Sequence, residues 1–265
     1  MKKTLIAILL VMVLVLSFVG AASAISDGEL DGEGHPYVGL MVAQNAAGAP
    51  LWRCSGTLLS PTVFLTAGHC TEAPAAHVEI WFDADVQSGI PANGYPNTGD
   101  VGGTPFTHPD YNPNAFYVRD VGVVVLDEPF ASPNDVYGTL PILNQLDAMK
   151  TKRGLQNVTF TAVGYGLQKI NPVFVEAERV RMVANPHLIQ INVPGFTGDF
   201  SLLLSNNHAT GGTCFGDSGG TNFLGDSNVV AGVTSFGING NCAGTGGVFR
   251  MDRSWSLDWV GSFLP

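Results

Sequence analysis

Short runs of apolar and β-branched residues alternate with turn-forming residues along most of this chain. The runs have the length of single strands, and clusters of Gly, Pro, Asn and Asp separate them. They are YVGLMVA, TVFLTAG, HVEIWF, VGVVVL, VTFTAVGY, RVRMVA, FSLLL, VVAGVTSF and GVFRM. Because these runs lack helical periodicity, the pattern predicts an all-β protein built as a barrel or a sandwich.

The C-terminal segment SWSLDWVGSFL follows a helical pattern instead. Trp255, Trp259 and Phe263 recur every fourth residue, and Ser254 is a suitable N-cap. This spacing predicts one closing helix. A long turn-rich segment over residues 87–103 is the candidate connection between two halves of the fold.

The first 24 residues have the pattern of an export signal. Lys2 and Lys3 precede the apolar run TLIAILLVMVLVLSFVG, and the small residues ASA end at Ala24. This order predicts a signal peptide over residues 1–24, with an uncleaved membrane anchor as the alternative. We therefore expect a mature domain over residues 25–265 that is secreted, extracellular or periplasmic, and has no stable membrane association.

Acidic residues outnumber basic ones, at 22 Asp and Glu against 12 Lys and Arg. A nucleic-acid partner is excluded, because the chain offers no basic face to phosphates. Charged residues make up 13% of the chain, and there are 33 glycines. This composition favours many turns around a packed core over disorder.

Four cysteines in an exported chain predict two disulfides, and the residues alone leave three pairings open. No Cys-x-x-Cys or His-x-x-x-His pair occurs, so we expect no metal site.

The glycine-rich stretch GGTCFGDSGGTNF, residues 211–223, surrounds Ser218. Taken alone it fits either a flexible linker or a nucleophile turn, including the Gly-x-Ser-x-Gly elbow of α/β-hydrolases. That elbow needs its histidine after the serine, whereas the last histidine here is His208. A subtilisin order would need Asp27 or Asp31 before His69, and a parallel α/β pattern that is missing. The remaining order is His, Asp, Ser on an all-β frame.

Three stretches supply that order. CSGTLLSPTVFLTAGHC contains His69, HPDYNPNAFYVRDVGVVVLDEP contains Asp120, and GGTCFGDSGG contains Ser218. The chain resembles the trypsin/chymotrypsin-like serine endopeptidase family, especially its secreted bacterial members, over the whole mature region. This resemblance implies two six-stranded antiparallel β-barrels of the chymotrypsin type with a C-terminal α-helix. His69 and Asp120 would lie in the first half and Ser218 in the second.

The resemblance implies the role of each residue. Ser218 would be the nucleophile, His69 the general base and Asp120 the carboxylate that orients the imidazole. The N–H groups of Gly216 and Ser218 would form the oxyanion hole. The chain departs from the family at Gly68, where Ala is more common, and at Thr221, where Pro is usual.

The resemblance also implies the disulfides and an activation step. Cys54 would pair with Cys70, and Cys214 with Cys242. In this family a new N-terminal amine pairs with the Asp before the serine, here Asp217. Cleavage after Ala24 would expose Ile25 directly, so we expect the signal peptidase itself to generate the activating end.

The specificity pocket would have Gly212 at its base and Ser235, Phe236, Gly237 and Gly247 on its walls. The absence of charge and the wall glycines predict cleavage after an apolar or aromatic residue. The resemblance therefore implies a secreted serine endopeptidase, and we expect it to act on polypeptides as a monomer and without a cofactor. The alternatives are a catalytically silent family member that acts in binding, and an esterase on the same scaffold.

Overall fold

The computed structural model describes residues 25–150, 157–171 and 174–265. The predicted signal peptide lies outside the described residues. Of the helices in the described part, none is long and apolar enough to cross a membrane.

The first half of the fold is a closed antiparallel barrel. Its strands pair in the order β2-β3-β4-β7-β6-β5, and β5 returns to β2 to close the ring. The strands are β2 (Val38–Gln44), β3 (Pro50–Ser60), β4 (Val63–Thr66), β5 (His77–Trp81), β6 (Val101–Thr107) and β7 (Gly122–Leu126). All seven residues of β2 are buried, because this apolar run packs inside the barrel and against the second half.

The second half is an eight-stranded antiparallel sheet in the order β1-β11-β8-β14-β15-β16-β13-β12. Its strands are β1 (Glu29–Leu30), β8 (Phe160–Gly164), β11 (Met182–Ala184), β12 (Leu188–Ile191), β13 (Ser201–Asn206), β14 (Thr221–Leu224), β15 (Val230–Gly237) and β16 (Gly244–Arg250). A separate hairpin pairs β9 (Lys169–Asn171) with β10 (Phe174–Glu176). The fold class predicted from the sequence is confirmed, although this half is a half-barrel sheet and not a closed six-stranded ring.

Short helices complete the described part. The α-helices are α1 (Gly68–Thr71), α2 (Val86–Gly89) and α3 (Ser254–Gly261), and the 3-10 helices are Pro113–Ala115, Pro133–Asp135 and Gln145–Met149. The closing helix contacts both halves. Trp255 packs on Phe200 of the second half, and the Trp259 ring lies 5.1 Å from that of His108 in the first.

Two local expectations are wrong. Residues 87–103 do not connect the halves, because they run from α2 into β6 and belong to the first barrel. Ser254 is the first residue of α3 and not its cap, a position that Arg253 occupies. The apolar pattern also missed β3, because Arg53, Ser55, Gly56 and Thr57 interrupt its apolar residues.

Candidate active site

His69 lies on α1, the single helical turn that follows β4. Its main-chain N–H donates to Asp120 Oδ1 at 2.9 Å, and its ring Nδ1 lies 3.1 and 3.0 Å from Asp120 Oδ1 and Oδ2. The Asp120 carboxylate therefore holds both the backbone and the ring of His69. A Cβ at Gly68 would lie 3.1 Å from the amide nitrogen of Val121 and 3.2 Å from the Tyr111 ring, so glycine avoids two close contacts there.

Asp120 precedes β7 and is completely buried. Its Oδ2 also accepts a hydrogen bond from Ser235 Oγ at 2.5 Å. Ser235 therefore contacts Asp120 and does not form the expected pocket wall, since it does not line the cavity described below. One feature of the sequence could have indicated this contact: a polar serine lies near the end of the apolar run VVAGVTSF.

The pKa of the His69 imidazole is raised above its ordinary value. Burial opposes the imidazolium, but the charge of Asp120, its hydrogen bond and the charge of Glu72 together outweigh it. A base with a raised pKa accepts a proton readily, and the adjacent carboxylate stabilises the resulting cation. The pair can therefore take a proton from a neighbouring hydroxyl.

Ser218 lies in a tight turn between the two halves. Its carbonyl accepts from Ser55 N–H of β3 at 2.8 Å. The next residue, Gly219, has a φ of +77°, and a Cβ there would lie 2.7 Å from the amide nitrogen of Ala67. Only glycine fits this close approach, which brings the serine turn against the segment that leads to His69.

Two N–H groups in this turn are available for an oxyanion. Gly216 has a φ of +97°, a conformation that favours glycine. Among the hydrogen bonds found in residues 25–150, 157–171 and 174–265, none uses the N–H of Gly216 or of Ser218 as a donor. Unpaired backbone donors of this kind are what a developing negative charge requires.

Asp217 lies fully buried beside Ser218 and accepts two backbone hydrogen bonds, from Cys214 N–H at 2.8 Å and from Gly166 N–H at 2.7 Å. Burial raises its pKa to about 7, although these donors and the charge of Arg53 oppose the shift. The site thus lacks enough positive charge to stabilise the carboxylate fully.

Ile25 is also fully buried, against Ala162, Val180, Met182 and Ala184. The next residue, Ser26, accepts a hydrogen bond from Gly212 N–H at 3.0 Å. The structure therefore brings the expected activation segment against the segment that leads to Ser218. No contact between Ile25 and Asp217 is found among the described residues.

A narrow cavity of about 50 Å³ opens beside Ser218. Its lining has no ionisable group and consists of Thr213, Cys214, Phe215, Ser218, Thr234, Phe236, Gly237, Asn239 and Cys242. Of the expected pocket residues, only Phe236 and Gly237 line it.

The other expected pocket residues contact neighbouring side chains instead. A Cβ on Gly212 would lie 2.4 Å from the Asn206 side chain, and a Cβ on Gly247 would lie 2.4 Å from the Phe236 ring. Gly247 therefore provides space for the Phe236 ring, and the open volume that we expected at this wall is already filled.

The structure contains the disulfides Cys54–Cys70 and Cys214–Cys242. The first joins β3 to the residue after His69, and the second joins the serine loop to the cavity rim. The sulfurs of the first bond lie close to His69, but a disulfide offers no thiolate to a metal.

Thr221 has a partner that the sequence did not reveal. It is completely buried, and its hydroxyl forms a hydrogen bond with the hydroxyl of Thr57 on β3. A proline at this position could not supply that bond, so the departure from the family pattern has a local physical reason.

Comparisons with known proteins agree with this geometry. The family model described as Trypsin matches residues 31–259. A protein named collagenase from Hypoderma lineatum is 26% identical over 78% of this chain and 74% of its own length. Serine protease 1 of Drosophila melanogaster is 25% identical over 85% of this chain and 79% of its own length. A solved structure titled "HL collagenase structure at 1.7A resolution" shares the fold with a TM-score of 0.69, 23% identity and coverage of 90% of this chain and 97% of its own.

Proposed function

Because this chain belongs to the trypsin family and is a serine endopeptidase, we propose that Ser218 is its nucleophile, His69 its general base and Asp120 the group that orients the imidazole. The observation that carries this proposal is the contact of His69 Nδ1 with both carboxylate oxygens of Asp120, at 3.1 and 3.0 Å. A buried carboxylate on one ring nitrogen leaves the other nitrogen free to accept the serine proton.

Catalysis then takes two matched steps. Ser218 Oγ bonds to the carbonyl carbon of the substrate while its proton passes to His69, and His69 returns that proton to the amine that leaves. Water repeats the sequence on the acyl-enzyme, which releases the acid and restores Ser218. The N–H groups of Gly216 and Ser218 stabilise the oxyanion in both steps, and the loss of one such donor typically costs about 3 kcal/mol.

Activation involves Ile25 and Asp217. Cleavage after Ala24 turns the Ile25 nitrogen into an amine, and an ammonium group near Asp217 would supply the charge that this buried carboxylate lacks. The burial of Ile25 and the bond between Gly212 N–H and Ser26 support this reading, because they hold the segment beside the serine loop. The sequence of the mature N-terminus tests it, and a start well downstream of Ile25 would refute it.

Export also belongs to this proposal. The leader over residues 1–24 and the two disulfides favour an oxidising compartment, extracellular or periplasmic. We expect the mature domain to be a monomer that is free of the membrane.

The uncharged cavity supports cleavage after an apolar residue. The Phe236 ring fills the space beside Gly247 and narrows this cavity, which favours an aliphatic over an aromatic side chain. Peptides with Leu, Phe or Arg before the scissile bond test this preference. In Phe236→Ala we expect cleavage after Phe to rise relative to cleavage after Leu. Phe116→Ala is the matched control, because Phe116 contacts Phe236 but does not line the cavity.

Labelling of the secreted protein with a fluorophosphonate probe tests the nucleophile. We expect the label on Ser218, no label in Ser218→Ala, and full labelling in Ser227→Ala, which removes an exposed serine. Failure to label the folded protein would favour a silent, binding member of the family. Amide and ester substrates with the same acyl group separate a peptidase from an esterase.

A further inference from the structure

Arg53 lies directly against the proposed oxyanion donor. It stands on β3 immediately before Cys54. A Cβ built on Gly216 would lie 3.2 Å from Arg53 Nη2 and 3.3 Å from Nε. The guanidinium therefore packs on the backbone of Gly216.

A second arginine, Arg179, contacts the Tyr95 side chain. Arg179 Nε donates to the Tyr95 hydroxyl at 3.4 Å, and its guanidinium carbon lies 5.4 Å from the centre of that ring. The charges of Tyr95 and Arg179 both act on Arg53, so the three side chains lie in one cluster. Burial lowers the pKa of Arg53, the charges of Tyr95 and Asp217 oppose this shift, and the charge of Arg179 adds to it. The two cations are therefore close enough to repel each other.

Neither guanidinium has an ion pair, which sets both apart from the other arginines of the described part. Arg119, Arg181, Arg250 and Arg253 each have a carboxylate within 4.0 Å, whereas Arg53 and Arg179 have none among the described residues. The residues outside that part contain no Asp or Glu that could supply one. Asp217 is the carboxylate whose charge acts on Arg53, and it is outnumbered by the two partly buried cations, so a further anion would stabilise them.

The position of Arg53 indicates which part of a substrate it meets. The cavity for the acyl side lies along Cys214, Phe236 and Gly237, and Arg53 does not line it. The leaving amine must receive its proton from His69. The Cys54–Cys70 disulfide links the residue after His69 to the residue after Arg53. Substrate residues that follow the scissile bond therefore extend from His69 towards Arg53.

We propose that Arg53 and Arg179, with Tyr95 between them, bind the side-chain carboxylate of an Asp or Glu that follows the scissile bond within three residues. This inference rests on the proposed endopeptidase function, and it assigns that function a preference on the leaving-group side. Guanidinium groups suit this role, because their fixed N–H donors match a carboxylate and they remain charged.

Pairs of peptides that carry Glu or Gln at each of the three positions after the scissile bond test the proposal. We expect wild-type kcat/KM to favour Glu at one position by about tenfold, mainly through KM and less so in high salt. Arg53→Gln should abolish this preference and Arg179→Gln should reduce it, measured as the ratio of kcat/KM for the Glu and Gln peptides with the same variant. Lys150→Gln, which removes an exposed ammonium paired with Asp147, is the control and should keep the preference.

The possible outcomes distinguish failure of the arginine site from failure of the proposed endopeptidase function. Equal cleavage of all Glu and Gln peptides by the wild type, or a preference that survives in Arg53→Gln, overturns the arginine site alone. Absence of cleavage of every peptide, with no label on Ser218, overturns the proposed function itself. Labelling of Ser218 in each variant checks that it is folded, and Arg53→Lys should restore part of the preference.

Discussion

At the scale of single residues, His69 sets the pH range of the proposed reaction. The imidazole must be neutral to accept the serine proton, and its raised pKa moves the acid limit of activity to higher pH. Glu72 contributes to this shift by its charge, yet it touches neither Ser218 nor the substrate in the proposed mechanism. It can therefore be changed without removing a reacting group.

We expect Glu72→Gln to move the acid limb of the kcat/KM profile to lower pH, because the imidazolium loses a stabilising charge. The pH profile with a single peptide substrate measures this shift. Glu128→Gln, at an exposed acid that does not act on His69, should leave the limb in place. A limb that stays fixed, or moves to higher pH, would contradict the electrostatic role of Glu72.

Asp217 makes the stability of the uncleaved precursor depend on pH. Its folded pKa of about 7 lies above the unfolded value of about 3.9, so the folded precursor binds this proton more tightly. Stability should therefore fall as the pH rises from about 4 to about 7. Asp217→Asn has no such dependence, and we expect the precursor to lose about 3 kcal/mol relative to this variant across that range.

Urea unfolding at pH 4.5 and 7.5 measures the difference in a Ser218→Ala precursor with an uncleavable leader. Asp226→Asn, at an exposed aspartate, is the matched control. After cleavage at Ala24, we expect the protein with Asp217 to be more stable at neutral pH than its Asp217→Asn variant, because the new amine pairs with the carboxylate. If the free energy of unfolding changes equally in the two precursors between these pH values, the raised pKa of Asp217 is refuted.

At the scale of elements, β3 and β14 connect the halves through one pair of buried hydroxyls. Thr57 and Thr221 are both fully buried, and their hydroxyl groups are hydrogen-bonded to each other. Removal of one partner leaves the other unsatisfied in the interior, which typically costs about 1–3 kcal/mol. Removal of both avoids that penalty.

We expect Thr221→Val to lower the free energy of unfolding by about 2 kcal/mol, and the double variant with Thr57→Val to recover most of the loss. Urea unfolding in the Ser218→Ala background measures both. Thr104→Val, on the exposed side of β6, should change stability little. Additive losses in the double variant would show that the hydroxyls do not act as a pair.

At the scale of the whole molecule, Arg181 joins the N-terminal segment to both halves. Its side chain is 1% exposed and pairs with Asp31 at 2.9 Å. It also donates to the Phe82 carbonyl at 2.9 Å and to the Tyr165 hydroxyl at 3.1 Å. The first barrel, the second half and the segment that follows Ile25 therefore share one buried cation.

Because a buried pair broken on one side leaves an uncompensated charge, we expect Arg181→Met to cost about 3–5 kcal/mol of stability. Asp31→Asn in the same chain should restore part of it. Urea unfolding again provides the measurement, with Lys150→Met as a surface control. A loss below about 1 kcal/mol would mean that the cation does not hold these parts together.

The fold class and the region of the site could be predicted because their signals are local. Single apolar runs such as VGVVVL become single strands, and the glycines around Ser218 mark a turn whose backbone only glycine adopts. The roles assigned to Ser218, His69 and Asp120 remain predictions that the labelling experiment tests. The pocket was predicted less well, because Gly247 gives no sign in the sequence that the Phe236 ring covers it.

The sequence by itself determined the order His, Asp, Ser, the strand-rich pattern and the acidic charge, since each depends on neighbours along the chain or on composition. Only the tertiary structure decided that Ser235 donates to Asp120 across a separation of 115 residues, and that Arg179 donates to Tyr95 in the neighbourhood of Arg53. The physical reason is that barrel closure and sheet register set such contacts, and a register is fixed by the packing of all strands together.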